Sequence, residues 1–384
     1  MPLPAASAPW LPALPPFLLA SVVCMVAVPL TMLLARRIGR GAVDSPDEAR
    51  RIHTAPTPRL GGLAMYLGFA VAVAAFGGSI ATRWQIVGIT GAITVAMAVD
   101  DIPGLNPRVK VLIELGAGLL AYLVGASIVF VAFPGSSGAT LLHLGVMALP
   151  LTLLWFLGMQ VSINLLDGVD GVAAGVVTIV AGVLLLAAIN RLGPSENAQS
   201  DVLVLSGALM GCCVGFLVFN FAPARTFMGD SGSHFLGVAL GMITILGVAK
   251  LAVAMSLFVP LLALGLPIGD TAFAIVRRRK AGRRIAYADT GHLHHRLLDL
   301  GFTARETALT FYLATAILGC MGLALFGHRR ILLVAVGLLA VALIGLIWRN
   351  IRREPVVEPE DAGYVTLPGR PAQPSRVRHG GELD

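Results

Sequence analysis

The sequence predicts an all-α, polytopic membrane bundle, and three observations carry that expectation. Apolar residues make up 57% of the 384-residue chain and charged residues only 13%, with a mean hydropathy of +0.84. The apolar residues gather into runs of about 20, the length of one bilayer crossing. The charged residues gather between those runs. A water-soluble globular domain is excluded by this composition. The net charge of +7 and pI near 9.7 would suit nucleic acid, but basic residues confined to the segments between apolar runs form no continuous soluble face. The anions to expect are lipid and phosphate groups, and no nucleic-acid partner is expected.

Eleven candidate spans are centred near residues 25, 70, 92, 120, 155, 181, 211, 240, 262, 317 and 339. They lie within 15–348, between a Pro- and Ala-rich leader (1–14) and a Pro- and charge-rich tail (349–384) expected to be disordered. The first run lacks a basic flank before it and is too long for a signal peptide, so it reads as a retained span. The loop after it carries Arg36, Arg37, Arg40, Arg50, Arg51 and Arg59, which makes that loop cytoplasmic and puts the N-terminus outside. With eleven spans the C-terminus is then inside. Of the 28 lysines and arginines, all but Arg83, Arg191, Lys250, Arg329 and Arg330 fall on the cytoplasmic side of this topology. One miscounted span would destroy that asymmetry.

The acids sort with the bases. Asp44, Asp47, Asp100, Asp101, Asp167, Asp170, Asp230 and Asp289 fall on the inner side, and the outer loops keep Glu196 and Asp201. A charged cleft at the inner interface follows, suited to an anionic substrate held through a metal ion. Gly265, Pro267 and Gly269 interrupt the ninth span just before Asp270 and predict a kink there. Glu114, in the fourth span, is expected to pair inside the bundle. Cys24, Cys212, Cys213 and Cys320 lie in apolar runs and read as small core residues.

Four polar stretches stand out. In INLLDGVDGVAAG, Ile163 to Gly175, a helix would place Asn164, Asp167 and Asp170 at i, i+3 and i+6 on one stripe. A cap and tight turn between two spans is the plainer alternative. In VDDIPGLNPRVK, Val99 to Lys110, the adjacent Asp100 and Asp101 face one ligand only if the helix ends there, as Pro103 and Gly104 suggest. Salt bridges to Arg108 and Lys110 are the alternative. In FNFAPARTFMGDSGSHFLG, Phe219 to Gly237, Asp230 with Ser231 and Ser233 either caps a helix or presents a metal ligand at a helix N-terminus, with Phe227 as a stacking surface. Between the ninth and tenth spans, His292, His294, His295 and Arg296 follow the Arg277 to Arg284 cluster. No cysteine accompanies these histidines, so phosphate contacts suit them better than zinc. His53, in the Arg-rich first loop, is either a phosphate donor or an ordinary interfacial residue.

Taken in order, DD followed by GLxPRxK, then NxxDGxDG, FMGDSGS and HLHH, the chain resembles the polyprenyl-phosphate N-acetylhexosamine-1-phosphate transferase superfamily, glycosyltransferase family 4, over roughly residues 15–348. The HLHH stretch is similar to the bacterial branch that uses undecaprenyl phosphate and N-acetylglucosamine 1-phosphate. The muramoyl-pentapeptide branch has three consecutive histidines where Leu293 here separates His292 from His294. Asp289-Thr290 departs from the Asp-Arg common before HLHH, which leaves the sugar open.

The resemblance implies transfer of a sugar 1-phosphate from a UDP-N-acetylhexosamine to a polyprenyl phosphate, with release of UMP, at the cytoplasmic face of the bacterial inner membrane. It implies magnesium, or manganese in its place, on Asp230 and Asn164. It gives Asp170 and Phe227 to the uracil, and His292, His294 and His295 to phosphates and sugar. Asp100 and Asp101 go to the lipid phosphate, and Asp167 to metal or nucleotide. His53, Lys110 and Arg296 are further substrate contacts, and a homodimer is an allowed assembly. The competing expectations are a muramoyl-pentapeptide donor and, from another class, a secondary transporter. No internal repeat is visible, which weakens the transporter reading.

Overall fold

The computed structural model describes residues 10–39, 41–44, 56–132, 141–189, 197–250, 293–324 and 329–351, with the single positions 265, 269, 276 and 279. In chain order the helices are α1 (Leu14–Ile38), α2 (Gly61–Phe76), α3 (Arg83–Asp100), α4 (Pro107–Leu123), α5 (Ala148–Leu166), α6 (Val172–Ile189), α7 (Asn197–Asn220), α8 (Gly229–Lys250), α9 (Leu293–Asp299), α10 (Ala304–Ala324) and α11 (Arg329–Ile351). Helices occupy ten of the eleven expected span positions, and the ninth span, with its expected kink, lies outside the described residues apart from the single positions 265, 269 and 276. Six helical stretches are long and apolar enough to cross a membrane: Leu11–Ile38, Gly145–Leu166, Val172–Ile189, Ser200–Asn220, Ala304–Ala324 and Leu332–Arg349.

The bundle is built around α8, which packs against α2, α3, α4, α5, α6 and α7. Its first five turns are apolar or small almost throughout, and residues 231–245 are all buried. Small residues let α7 approach α1 closely. Gly207, Gly211 and Gly215 recur at every fourth position on one face of α7, and a Cβ on each would strike the backbone carbonyls of Ala13, Phe17 and Ser21 on the α1 segment. Ser21 Oγ crosses the same seam to the Gly211 carbonyl at 3.0 Å. Between apolar helices in lipid, such backbone proximity supplies the dispersion contact that the hydrophobic effect does not.

Two short antiparallel ribbons depart from the all-α expectation. β1 (Val43–Asp44) pairs with β2 (Thr57–Pro58) in the α1–α2 connection, and β3 (Phe130–Ala132) with β4 (Leu141–His143) in the α4–α5 connection. The expected single stripe of Asn164, Asp167 and Asp170 is also corrected. Helix α5 stops at Leu166, and residues 167–171 form a turn, with Gly171 at φ +77°, that reverses the chain into α6. Only Asn164 belongs to the helix, so the turn alternative is the one realised. The first span starts earlier than the leader boundary, since a 3-10 turn over Leu11–Ala13 leads into α1, and α11 runs past the tail boundary to Ile351.

Candidate active site

Four interhelical connections meet at one end of the bundle. The α7–α8 connection runs alongside β2, with Phe227 N–H donating to the Pro58 carbonyl at 2.8 Å and Gly61 N–H to the Phe227 carbonyl at 3.0 Å. Where it enters α8, Gly229 takes φ +67°, and a Cβ there would lie 2.6 Å from both Asp101 carboxylate oxygens. Asp101, the residue after α3, caps α8 from outside: its oxygens accept from Asp230 N–H at 2.7 Å and Ser231 N–H at 3.0 Å. A carboxylate there satisfies two orphan donors and meets the positive end of the helix dipole.

With its backbone so held, the Asp230 side chain collects two other elements, α5 and α4. Asn164 Nδ2, in the last turn of α5, donates to Asp230 Oδ1 at 2.7 Å and to Ser233 Oγ at 3.0 Å. Lys110 Nζ, from the first turn of α4, pairs with Asp230 Oδ2 and lies 3.4 Å from Asp100 Oδ2. Asp100 also accepts from Leu105 N–H. Asp100 and Asp101 therefore diverge where the helix ends, one toward the lysine and one toward the α8 N-terminus.

The α5–α6 turn adds two acids. Asp170 is buried and its Oδ2 accepts from Ala224 N–H at 2.8 Å, which fastens the α7–α8 connection. Gly171 is held from both sides, by Asn220 Oδ1 at 3.0 Å on its N–H and by the Tyr312 hydroxyl at 2.7 Å on its carbonyl. Burial, reinforced by the Asp230 and Asp101 charges and opposed by Arg59, pushes Asp167 well above the usual carboxylate range. Burial also raises Asp101, to about 6, against the lowering by its N–H bonds.

Asp100 and Asp230 thus flank Lys110, and Asp101, Asp170 and Asp230 lie close enough to Asp167 for their charges to act on it. Every donor is an oxygen, and the excess negative charge fits a hard divalent cation. Among the described residues no three His, Cys, Asp or Glu side chains form a complete metal cage. Magnesium, which uses few protein carboxylates and completes its shell with water and phosphate oxygens, does not need one.

A family model described as glycosyl transferase family 4 matches residues 84–248. The chain is 35% identical over 298 residues to a probable undecaprenyl-phosphate N-acetylglucosaminyl 1-phosphate transferase of Bacillus subtilis, covering 77% of this chain and 80% of the relative. The chain belongs to glycosyl transferase family 4. Its similarity extends to a decaprenyl-phosphate N-acetylglucosaminephosphotransferase of Mycolicibacterium smegmatis, 34% identical over 78% of this chain and 79% of the relative. It extends also to a phospho-N-acetylmuramoyl-pentapeptide-transferase of Desulforudis audaxviator, 30% identical over 79% and 95%. The family match spans α3 to α8, the helices and connections that carry Asp100, Asp101, Lys110, Asn164, Asp167, Asp170, Phe227 and Asp230.

Those eight expected site residues of the family member share one end of the bundle, with Phe227 half-buried beside Asp230 in sequence. The remaining ones are not brought to them by any described contact. His53 and His292 lie outside the described residues. His294 and His295 sit on the short helix α9, their side chains likewise outside the description, and Arg296 on the same helix is exposed. The sequence reading missed His234, which is buried with Nε2 2.8 Å from Glu114 Oε1 and Nδ1 2.8 Å from the Asp230 carbonyl. The signal was available: a histidine four residues after Asp230 stands one turn below it. Glu114 pairs inside the bundle as its depth implied, and His234 is its partner.

Proposed function

We propose that this chain transfers N-acetylglucosamine 1-phosphate from its UDP-sugar to undecaprenyl phosphate, releasing UMP and starting a cell-envelope polysaccharide. One observation carries the reading: acids from the α3 end and the α5–α6 turn, with Asn164 and Lys110, gather about Asp230 at one end of a bundle with lipid-length apolar helices. That is where a phosphate on a membrane-held lipid can meet a soluble nucleotide. The relatives named as N-acetylglucosaminyl 1-phosphate transferases support the donor, and the loop asymmetry of Lys and Arg supports the cytoplasmic side of the inner membrane.

In this reaction an oxygen of the lipid phosphate attacks the phosphorus nearer the sugar, and the bond to the bridging oxygen of UMP breaks. Two anions must approach, so charge neutralisation and alignment outweigh the need for a strong base. Lys110 is placed to follow a phosphate oxygen as well as a carboxylate, since its ammonium already bridges Asp100 and Asp230. Asp230 and Asn164 would hold magnesium, which would supply positive charge between the two phosphates. Asp101 keeps the α8 N-terminus in place, and Asp170 holds the connection that carries Phe227, the proposed uracil platform.

Purified protein given UDP-N-acetylglucosamine, magnesium and a polyprenyl phosphate is expected to release UMP. Absence of release with every UDP-N-acetylhexosamine refutes the reading. The muramoyl-pentapeptide donor is named by a relative, and Leu293 within the histidine run disfavours it, so it should compete poorly in the same assay. Coupled solute uptake that survives Asp230→Ala would instead establish transport.

A further inference from the structure

Two rungs tie α4 to α8. Lys110 and Glu114 stand one turn apart on α4, and Asp230 and His234 stand one turn apart on α8. The outer rung is Lys110 with Asp230, and the inner rung is Glu114 Oε1 with His234 Nε2 at 2.8 Å. The inner rung is sealed from solvent, with Glu114 3% and His234 0% exposed. Nδ1 of His234 faces the Asp230 carbonyl at 2.8 Å and must donate to it, because a carbonyl has no hydrogen to give. The Nε2–Oε1 contact therefore shares a single proton, and the pair is neutral overall in either arrangement of that proton.

The polarity of the rungs alternates. On α4 the outer group is a cation and the inner group an acid, while on α8 the outer group is an acid and the inner group a base. Sliding one helix a turn either way would set Lys110 against His234 and leave Glu114 and Asp230 without these partners, or set Glu114 against Asp230, which repel. Buried polar pairs are retained most clearly where they specify register. Helix α5 steadies the inner rung from the side, with Gln160 Nε2 3.2 Å from the Glu114 carbonyl. Gly237 leaves room for the Gln160 backbone, where a Cβ would come within 2.6 Å of its Cα.

We propose that Glu114 and His234 are positioning residues that fix the register of α4 against α8 and so aim the Lys110 ammonium at the Asp230 carboxylate. Their effect on turnover rests on the transfer reading above, whereas their effect on register does not. The inner pair lies about 6 Å deeper than the outer one, so it acts through the helices and does not touch the reacting groups.

The test sets reach against charge in the full-length, detergent-solubilised protein. Glu114→Gln keeps the reach to Nε2 and can donate its amide N–H there. Glu114→Asp keeps the charge but falls one methylene short. A double-mutant cycle of Lys110→Met and Asp230→Asn, read by thermal unfolding in each background, should show the Lys110–Asp230 coupling retained in Glu114→Gln and lost in Glu114→Asp. Turnover should stay within about threefold in Glu114→Gln. In Glu114→Asp it should fall by about tenfold or more with donor KM little changed, as misplacement without lost binding predicts. Should Glu114→Asp fail to fold, His234→Asn, which keeps an amide near the Asp230 carbonyl but cannot span to Glu114, takes its place. Any other ranking, including equal loss in both Glu114 variants, overturns the proposal. A wild type that releases no UMP while the coupling pattern holds would refute the transfer reading and leave the register inference standing.

Discussion

Asp101 and Asp230 are joined through backbone and not through their side chains alone: the Asp101 carboxylate accepts the Asp230 N–H at 2.7 Å and the Ser231 N–H at 3.0 Å. One aspartate thereby sets the starting point of the helix whose first turn carries the other. Asp230 is left with both carboxylate oxygens turned to Asn164 and Lys110.

Removing that cap should destabilise the protein. Asp101→Ala deletes the acceptor for two N–H groups and is expected to cost about 1–2 kcal/mol, the usual range for a lost N-cap. Asp101→Asn, which keeps one acceptor oxygen, should lose less. Thermal unfolding of the two variants in one detergent checks the order, and equal melting of Asp101→Ala and wild type would remove the capping role.

The same residue predicts a pH trend. Burial lifts the Asp101 carboxyl to about 6 in the folded protein, above the ordinary value of about 4 in an open chain. A raised value means the folded state holds the proton more tightly, so the contribution is full below about pH 4 and is lost as pH rises through about 6. Wild type should therefore lose stability relative to Asp101→Asn between about pH 4 and pH 7. A difference that stays flat across that window contradicts the buried, raised carboxyl.

Asp230→Asn should lower turnover by about 100-fold without unfolding the protein, because an asparagine oxygen can still accept from Asn164. Chelation of divalent ions should abolish UMP release and magnesium should restore it, with manganese as a substitute. Undiminished activity in Asp230→Asn would take Asp230 out of the proposed metal site.

Gly211→Val tests the α1–α7 seam. A branched side chain there would collide with the Phe17 carbonyl and come within 2.9 Å of the Ala20 Cβ. The helices would have to separate, at a cost of about 3 kcal/mol. Size-exclusion profiles and thermal unfolding should show a poorly folded protein, whereas Gly88→Val, at a position with open space, should behave as wild type.

The membrane class, the places of ten helices and the four polar stretches were legible in the sequence because each is a local property. Hydropathy needs only a window of residues, and Pro103 with Gly104 ends α3 wherever its neighbours lie. The stripe of Asn164, Asp167 and Asp170 was misread because helical spacing and a turn give the same three-residue interval. Gly171, free to take a positive φ, tips that segment to the turn.

What the sequence determined alone was which residues could not be left in hydrocarbon without a partner. Glu114 had to pair, and the aspartates had to meet cations, N–H groups or a metal. Only the tertiary structure chose the partners: His234 for Glu114, the α8 N-terminus for Asp101, Lys110 and Asn164 for Asp230. Those choices span tens of residues and more than a hundred at the longest, and they depend on how α3, α4 and α5 rotate and slide against α8, which is fixed by packing across the whole bundle and by no single segment of the chain.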